Sequence, residues 1–326
     1  MSTVTPPAPP VGLPALSAGP GSGPVPLRPL SVGEVLDGGM DLLRRHPGPT
    51  LGVAAAMVGL QLLISVPLWW AITGLLSRDS SSFSTDFLLF LATLTAASVV
   101  ASLGSTIAAV ITSASSAVAV IQEAAGAPTS LAVCWARLRP LLGKLLLLGL
   151  TLTGLNTVIA AIPIIGYFVP LFGGLMRLSV LVLVFEGGTI GSALRRSMQV
   201  GGGTAAGLFR QLGIRLLAGA VGGFIWFIMF LPLTLILTLL VEAVVGEDPL
   251  VNGDHGALLL LTFAVAVSYY LPLVVVWAFR SGIDTLLYLD GRMRSEALDV
   301  EWGLAARQAR SARRTRKIGA SAGELR

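Results

Sequence analysis

Six long stretches of this chain are almost uncharged, and the charged residues gather in the gaps between them. The stretches run from Leu51 to Leu76, Phe87 to Ile121, Leu145 to Ile162, Ile164 to Phe185, Leu216 to Val245 and Leu258 to Phe279, interrupted only by Arg177 and Glu242. Each meets or nearly meets the roughly 20 apolar residues with which a helix crosses a hydrocarbon core of about 30 Å. None shows the period-two alternation of a membrane strand, and in lipid only helices or closed barrels satisfy the backbone. The pattern predicts an all-α integral membrane bundle of six transmembrane helices.

The gaps predict three shorter, amphipathic helices on the cytoplasmic side. Ser31-Val-Gly-Glu-Val-Leu-Asp37, Ser130-Leu-Ala-Val-Cys-Trp-Ala136 and Thr189-Ile-Gly-Ser-Ala-Leu-Arg195 each open on a hydroxyl residue suited to cap a helix, and each precedes a pair of spans. One surface helix plus a hairpin of two spans, used three times, is the pseudo-repeat this suggests; three short matches among small and apolar residues carry it. In the first helix Ser31 and Glu34 make a capping-box pattern, Val32, Leu36, Met40 and Leu43 share a face, and Arg44 and Arg45 close it before Pro47. Two placements fit: flat in the headgroup layer with Arg44, Arg45 and His46 on lipid phosphates, or packed under the bundle without touching lipid.

Within the spans, the second is built largely of Ala, Ser, Thr, Gly and Val between Thr93 and Val120. Small side chains let helix backbones approach closely, which predicts an interior position. Its hydroxyls Ser98, Ser102, Ser105, Thr106 and Ser113 offer an alternative, the lining of a polar path. Gly219 and Gly223 predict a close contact in the fifth span and Pro232 a kink. Arg177 has two readings: a cation facing an inner cavity that holds a lipid phosphate or pairs with Glu186 or Asp37, or a long side chain snorkelling to the inner headgroups. Glu242 reads as exposed at the outer interface.

Charge sets the orientation. Of the 22 Lys and Arg, all but Arg78 and Arg177 fall in the two termini and alternate gaps, whereas the other gaps hold Asp79, Asp86, Glu247, Asp248 and Asp254. The positive-inside rule then places both termini in the cytoplasm of a multi-pass cell-membrane protein. Residues 1–27, uncharged and rich in Pro and Gly, read as a disordered cytoplasmic tail and lack the basic start and apolar core of a signal peptide. Residues 28–302 form the six-span membrane domain, and 303–326 a second disordered tail whose basic run from Arg307 to Lys317 suits an anionic leaflet.

Composition agrees: 54% hydrophobic and 12% charged residues, with mean hydropathy +0.83, lie far from a soluble domain. A net charge of +5 reflects topology, and without stacking aromatics in a basic patch no nucleic-acid partner is expected. The single Cys134 excludes an internal disulfide and reads as packing.

Several segments resemble a known family. Arg28 through Pro47, Arg177-Leu-Ser through Glu186, Ala193-Leu-Arg-Arg-Ser197 and Leu286 through Glu301 look like the actinobacterial glycerophosphoryl diester phosphodiesterase membrane domain family, over roughly residues 28 to 302. The resemblance implies six spans with cytoplasmic signature segments. Some members carry a soluble phosphodiesterase domain after the membrane part; the residues following Phe279 are far too few for a barrel of roughly 250 residues, so the membrane part alone is expected.

Direct inspection for chemistry finds no enzyme. His46 and His255 are predicted on opposite sides of the membrane, no convergent metal ligands are legible, and no serine elbow or phosphate loop can be built around Gly201-Gly-Gly203. Asp248, Asp254 and His255 read as a solvated outer loop. No catalytic residue, cofactor or metal is expected. The first functional reading is a non-enzymatic protein that organises lipids or partner proteins at the cytoplasmic face. The alternative is a transporter or lipid-handling pore with an anionic headgroup site near Arg177. Headgroup candidates are Arg177, Arg44, Arg45, Arg195 and Arg196, with Glu186 and Asp37 as charge partners. No particular protein partner is indicated.

Overall fold

Where the sequence is apolar for long enough, the chain is helical. The computed structural model describes residues 30–76, 83–124, 129–160, 169–202, 205–245 and 255–296, and among these no strand occurs. The terminal tails, including Arg307 to Lys317, and most of the outer gaps with Asp79, Glu247, Asp248 and Asp254 lie outside the described residues. The helices are α1 (Val32–Arg45), α2 (Val53–Leu76), α3 (Phe83–Ala124), α4 (Leu131–Leu138), α5 (Leu142–Ala160), α6 (Val169–Phe185), α7 (Ile190–Gly202), α8 (Ala205–Val245), α9 (His255–Tyr270) and α10 (Leu273–Glu296). Five segments are long and apolar enough to cross a membrane; a sixth is reached if α6 and α7, bent by 113° across their junction, count as one broken span.

The hydroxyls that open the three short helices act as caps. Ser31 Oγ accepts from Glu34 N–H while the Glu34 carboxylate accepts from Ser31 N–H, a complete capping box. Ser130 Oγ accepts from Val133 N–H at 3.3 Å, and Thr189 Oγ1 from Ser192 N–H at 3.3 Å. Before α7 the chain turns sharply through Gly187 and Gly188, whose φ values of 76° and 92° lie where only glycine is unstrained.

The core sits towards the end of the bundle where the short helices gather. There the inner half of α3, with α5, α6 and the last turns of α10, forms one cluster that also takes in Leu42, Cys134, Leu138 and Ala193. A second cluster joins Leu30 and Val35 to Ile214, Phe279 and Ile283. Towards the opposite end the helices show their apolar faces: Phe224, Leu231, Leu240, Leu88 and Leu94 are all exposed. So much uncovered apolar surface on α3 and α8 has lipid as its natural solvent.

Three expectations are refined here. Helix α1 is packed against α10: Val35, Gly39 and Leu42 are buried, while Val32 is 40% exposed. The buried face is set by Gly38 and Gly39, which let the backbones meet; a Cβ on Gly282 of α10 would stand 3.0 Å from Gly39 O. Helix α3 is interior only from Ala108 to Gln122 and exposed along much of its outer half. Of the hydroxyls named along it, Ser98, Ser105 and Thr106 donate to carbonyls three or four residues back in their own helix. Pro67 and Pro232 sit inside α2 and α8 without ending them.

Candidate functional site

The second half of α10 carries the molecule's chemistry. From Ser281 to Gly291 every residue is buried, including Asp284 at 5% and Asp290 at 1% exposure. A carboxylate out of water persists only when paired, and arginines from α6, α7, α8 and α10 itself form three tiers with these two aspartates and with Glu186 and Glu296.

The tier nearest the α6–α7 turn centres on Glu186. It accepts from the Tyr288 hydroxyl at 2.6 Å and from Arg196 Nε at 3.2 Å, with Arg292 Nε at 3.8 Å. Arg196 also reaches Glu296, which accepts from Arg292 Nε at 2.9 Å. Phe185 stacks on Tyr288 with ring centroids 5.1 Å apart. Two acids thus balance two arginines, and the turn is bolted to α10.

The second tier centres on Asp290. Leu30 N–H donates to its Oδ1 at 2.8 Å, Arg294 Nε donates to it at 3.1 Å, and Arg210 is bonded to Oδ2. Both arginines also donate to Leu30 O. The backbone entering α1 is therefore held at both its polar atoms.

The third tier is unbalanced. Arg215 Nη1 donates to Asp284 Oδ1 at 2.6 Å, but Arg215 Nε and Nη2 are buried without a hydrogen-bond partner. From α10, the Arg280 side chain lies against the same face of α8: its Nη2 is 3.4 Å from where a Cβ on Gly219 would stand and its Nε 3.4 Å from one on Gly222. Positions 215, 219 and 222 follow one another along a helix face at spacings of four and three. Arg177 is within electrostatic range of both Arg215 and Arg280. Register explains the meeting. Phe185 and Tyr288 touch, and eight residues before each, about 12 Å along its own helix, stand Arg177 and Arg280. Three cations from three helices thus gather together, and one of them, Arg215, is bonded to an acid.

The anticipated site residues separate accordingly. Arg177 joins Arg215 and Arg280, and neither Glu186 nor Asp37 bonds to it: Glu186 belongs to the first tier, more than two turns away, and Asp37 is exposed on α1. Arg196 is committed to Glu186 and Glu296. Arg45 pairs with Asp41 at 2.7 Å and lies 3.6 Å from Glu123. His46 Nε2 lies 2.8 Å from Glu123 Oε2, so this histidine joins the end of α1 to α3. Arg44 and Arg195 are exposed, and among the described residues they have no acidic partner. Arg195 and Arg196 line a shallow cleft of about 390 Å³ with Gly191, Ser192 and Gln199.

Gly219 makes its close contact with the Arg280 side chain, whereas nothing meets a Cβ at Gly223. Among the described residues no three His, Cys, Asp or Glu side chains come together as metal ligands. Sequence reasoning passed over Asp284, Asp290, Arg210, Arg215, Arg280 and Tyr288 as site residues. The available signal was two aspartates set among Ile283, Leu286, Leu287 and Leu289, a mixture that suits a buried, paired helix and not a solvated tail. No family model, curated protein or solved structure matches the chain.

Proposed function

We propose that this is a non-enzymatic multi-pass protein of the cell membrane, with six spans and both termini cytoplasmic, that organises anionic lipids of the inner leaflet around its short helices. The observation that carries the reading is the placement of uncommitted cations. Arg44, Arg137, Arg139 and Arg195 are exposed and, among the described residues, lack acidic partners. Arg137 on α4 and Arg139 just past its end follow Leu131 and Trp135, which are 47% and 51% exposed; on α7, Arg195 neighbours Met198 at 45%. Exposed apolar groups beside exposed arginines suit the boundary between acyl chains and phosphates. The threefold repeat of helix and hairpin gives this rim its three stations, in keeping with the family resemblance of the signature segments.

Each arginine held near an anionic surface contributes about 1 kcal/mol, roughly fivefold in partitioning. The full chain, purified in nanodiscs of mixed phosphatidylcholine and phosphatidylglycerol, is expected to enrich phosphatidylglycerol at its boundary, as read by mass spectrometry of retained lipid. Arg137→Gln with Arg139→Gln and Arg195→Gln should lower that enrichment at least several-fold; an unchanged lipid profile removes the reading.

A further inference from the structure

We propose that Arg177, Arg215 and Arg280 form a binding site for a phosphomonoester-type dianion, within the bundle and reached from its cytoplasmic half. The tiers on either face of α10 differ in their electrostatic balance. Around Glu186 and Glu296, two arginines meet two acids. Asp290 meets two arginines, but these also serve the Leu30 carbonyl, so their donors are occupied. In the third tier Arg215 bonds Asp284, the Arg280 side chain lies beside Gly219 and Gly222, and Arg177 is an electrostatic neighbour of both arginines, so three guanidiniums are gathered where one hydrogen bond to one carboxylate is made. Two nitrogens of Arg215 are enclosed with nothing to accept from them. Buried guanidinium donors left unused are costly, and three like charges together are costlier still, unless an anion completes the set.

The geometry points to the class of anion. The net excess is two positive charges, presented by planar forks on three helices, the arrangement that suits the tetrahedral oxygens of phosphate better than a flat carboxylate. A phosphomonoester carries about −1.5 to −2 at neutral pH and three acceptor oxygens, which match both the excess charge and the unused donors. Gly219 and Gly222 leave room beside α8 for the Arg280 fork. Arg177 and Arg280 are only partly buried, so the cluster remains approachable. The same chemistry is offered by a lipid phosphomonoester headgroup and by free phosphate. The site is distinct from the exposed arginines of α4 and α7.

The test uses the full chain in a zwitterionic detergent, with the unfolding midpoint followed on addition of inorganic phosphate, of phosphatidic acid, or of phosphatidylglycerol as the diester control. A rise of at least about 3 °C is expected with phosphatidic acid and exceeds that with phosphatidylglycerol. An equal rise with inorganic phosphate identifies free phosphate as a sufficient ligand, and its absence identifies the lipid. Arg177→Gln and Arg280→Gln should each abolish the phosphomonoester-dependent rise while leaving the unliganded midpoint unchanged or higher, because like-charge repulsion is relieved. Arg195→Gln should keep the whole rise. The proposal is overturned if wild type shows no rise with either phosphomonoester source, a comparison that requires no variant to fold, or if the two glutamine variants retain it.

Discussion

At the scale of single residues, the decisive distinction is between arginines whose donors are used and those whose donors are not. Asp290 illustrates the first case. At 1% exposure it is bonded to Leu30 N–H, Arg210 and Arg294, so removing its charge leaves the mostly buried Arg210 and the more exposed Arg294 without their acid. Breaking one side of a buried pair typically costs about 3–5 kcal/mol. Asp290→Asn is therefore expected to lower the unfolding midpoint sharply, whereas Asp37→Asn, on an exposed site, should leave it unchanged in the same thermal assay. A small effect at Asp290 means that the tier is not closed. Legibility at this scale was partial. Arg177 stood out because it interrupts an uncharged stretch, and Glu186 and Arg196 through the signature segments. Asp284, Asp290 and the arginines around them did not, because charges after Phe279 look like cytosolic sequence until α10 is seen to stay buried as far as Met293.

At the scale of elements, hydrophobic periodicity identified α1 but placed its contact face one position off. The largest apolar side chains, Val32, Leu36, Met40 and Leu43, suggested the seam, yet the glycines decide it, since closeness of backbones outweighs the bulk of side chains when a helix docks. Gly282 faces Gly39 O at 3.0 Å from a would-be Cβ, and an added methyl at Gly39 would press on Ile283. Because the neighbour of Gly282 is backbone, it cannot swing aside. Gly282→Ala should therefore push α1 away, at a cost of about 1–3 kcal/mol, and accelerate hydrogen exchange of the amides of α1. Gly33→Ala, where nothing stands within 4 Å of the new carbon, should leave that exchange unchanged or slow it, since alanine favours the helix. Equal exchange in the two variants means that the Gly39–Gly282 contact does not hold α1 in place. The capping hydroxyls, by contrast, were fully legible: Ser31, Ser130 and Thr189 act locally, within one turn of their own helices.

At the scale of the whole molecule, the two ends of the bundle are built on different principles, and this bears on which way it faces. One end is tied by ion pairs, capped helices and a core that includes α1, α4 and α7; the other consists of apolar faces on α3 and α8 with Leu88, Leu94, Leu231 and Leu240 uncovered. The tied end holds nearly all the described arginines, and transferring such a cluster across a bilayer during insertion opposes the positive-inside bias. The proposed orientation therefore has a direct consequence for access. In a Cys134→Ser background, Ser80→Cys should react with a membrane-impermeant maleimide added to intact cells, while Gln199→Cys, on the exposed face of α7, should react only after permeabilisation. The opposite pattern inverts the molecule and moves the three-arginine tier to the outer leaflet, where a cytoplasmic phosphomonoester cannot reach it; the labelling result thus decides which compartment supplies any ligand of that tier.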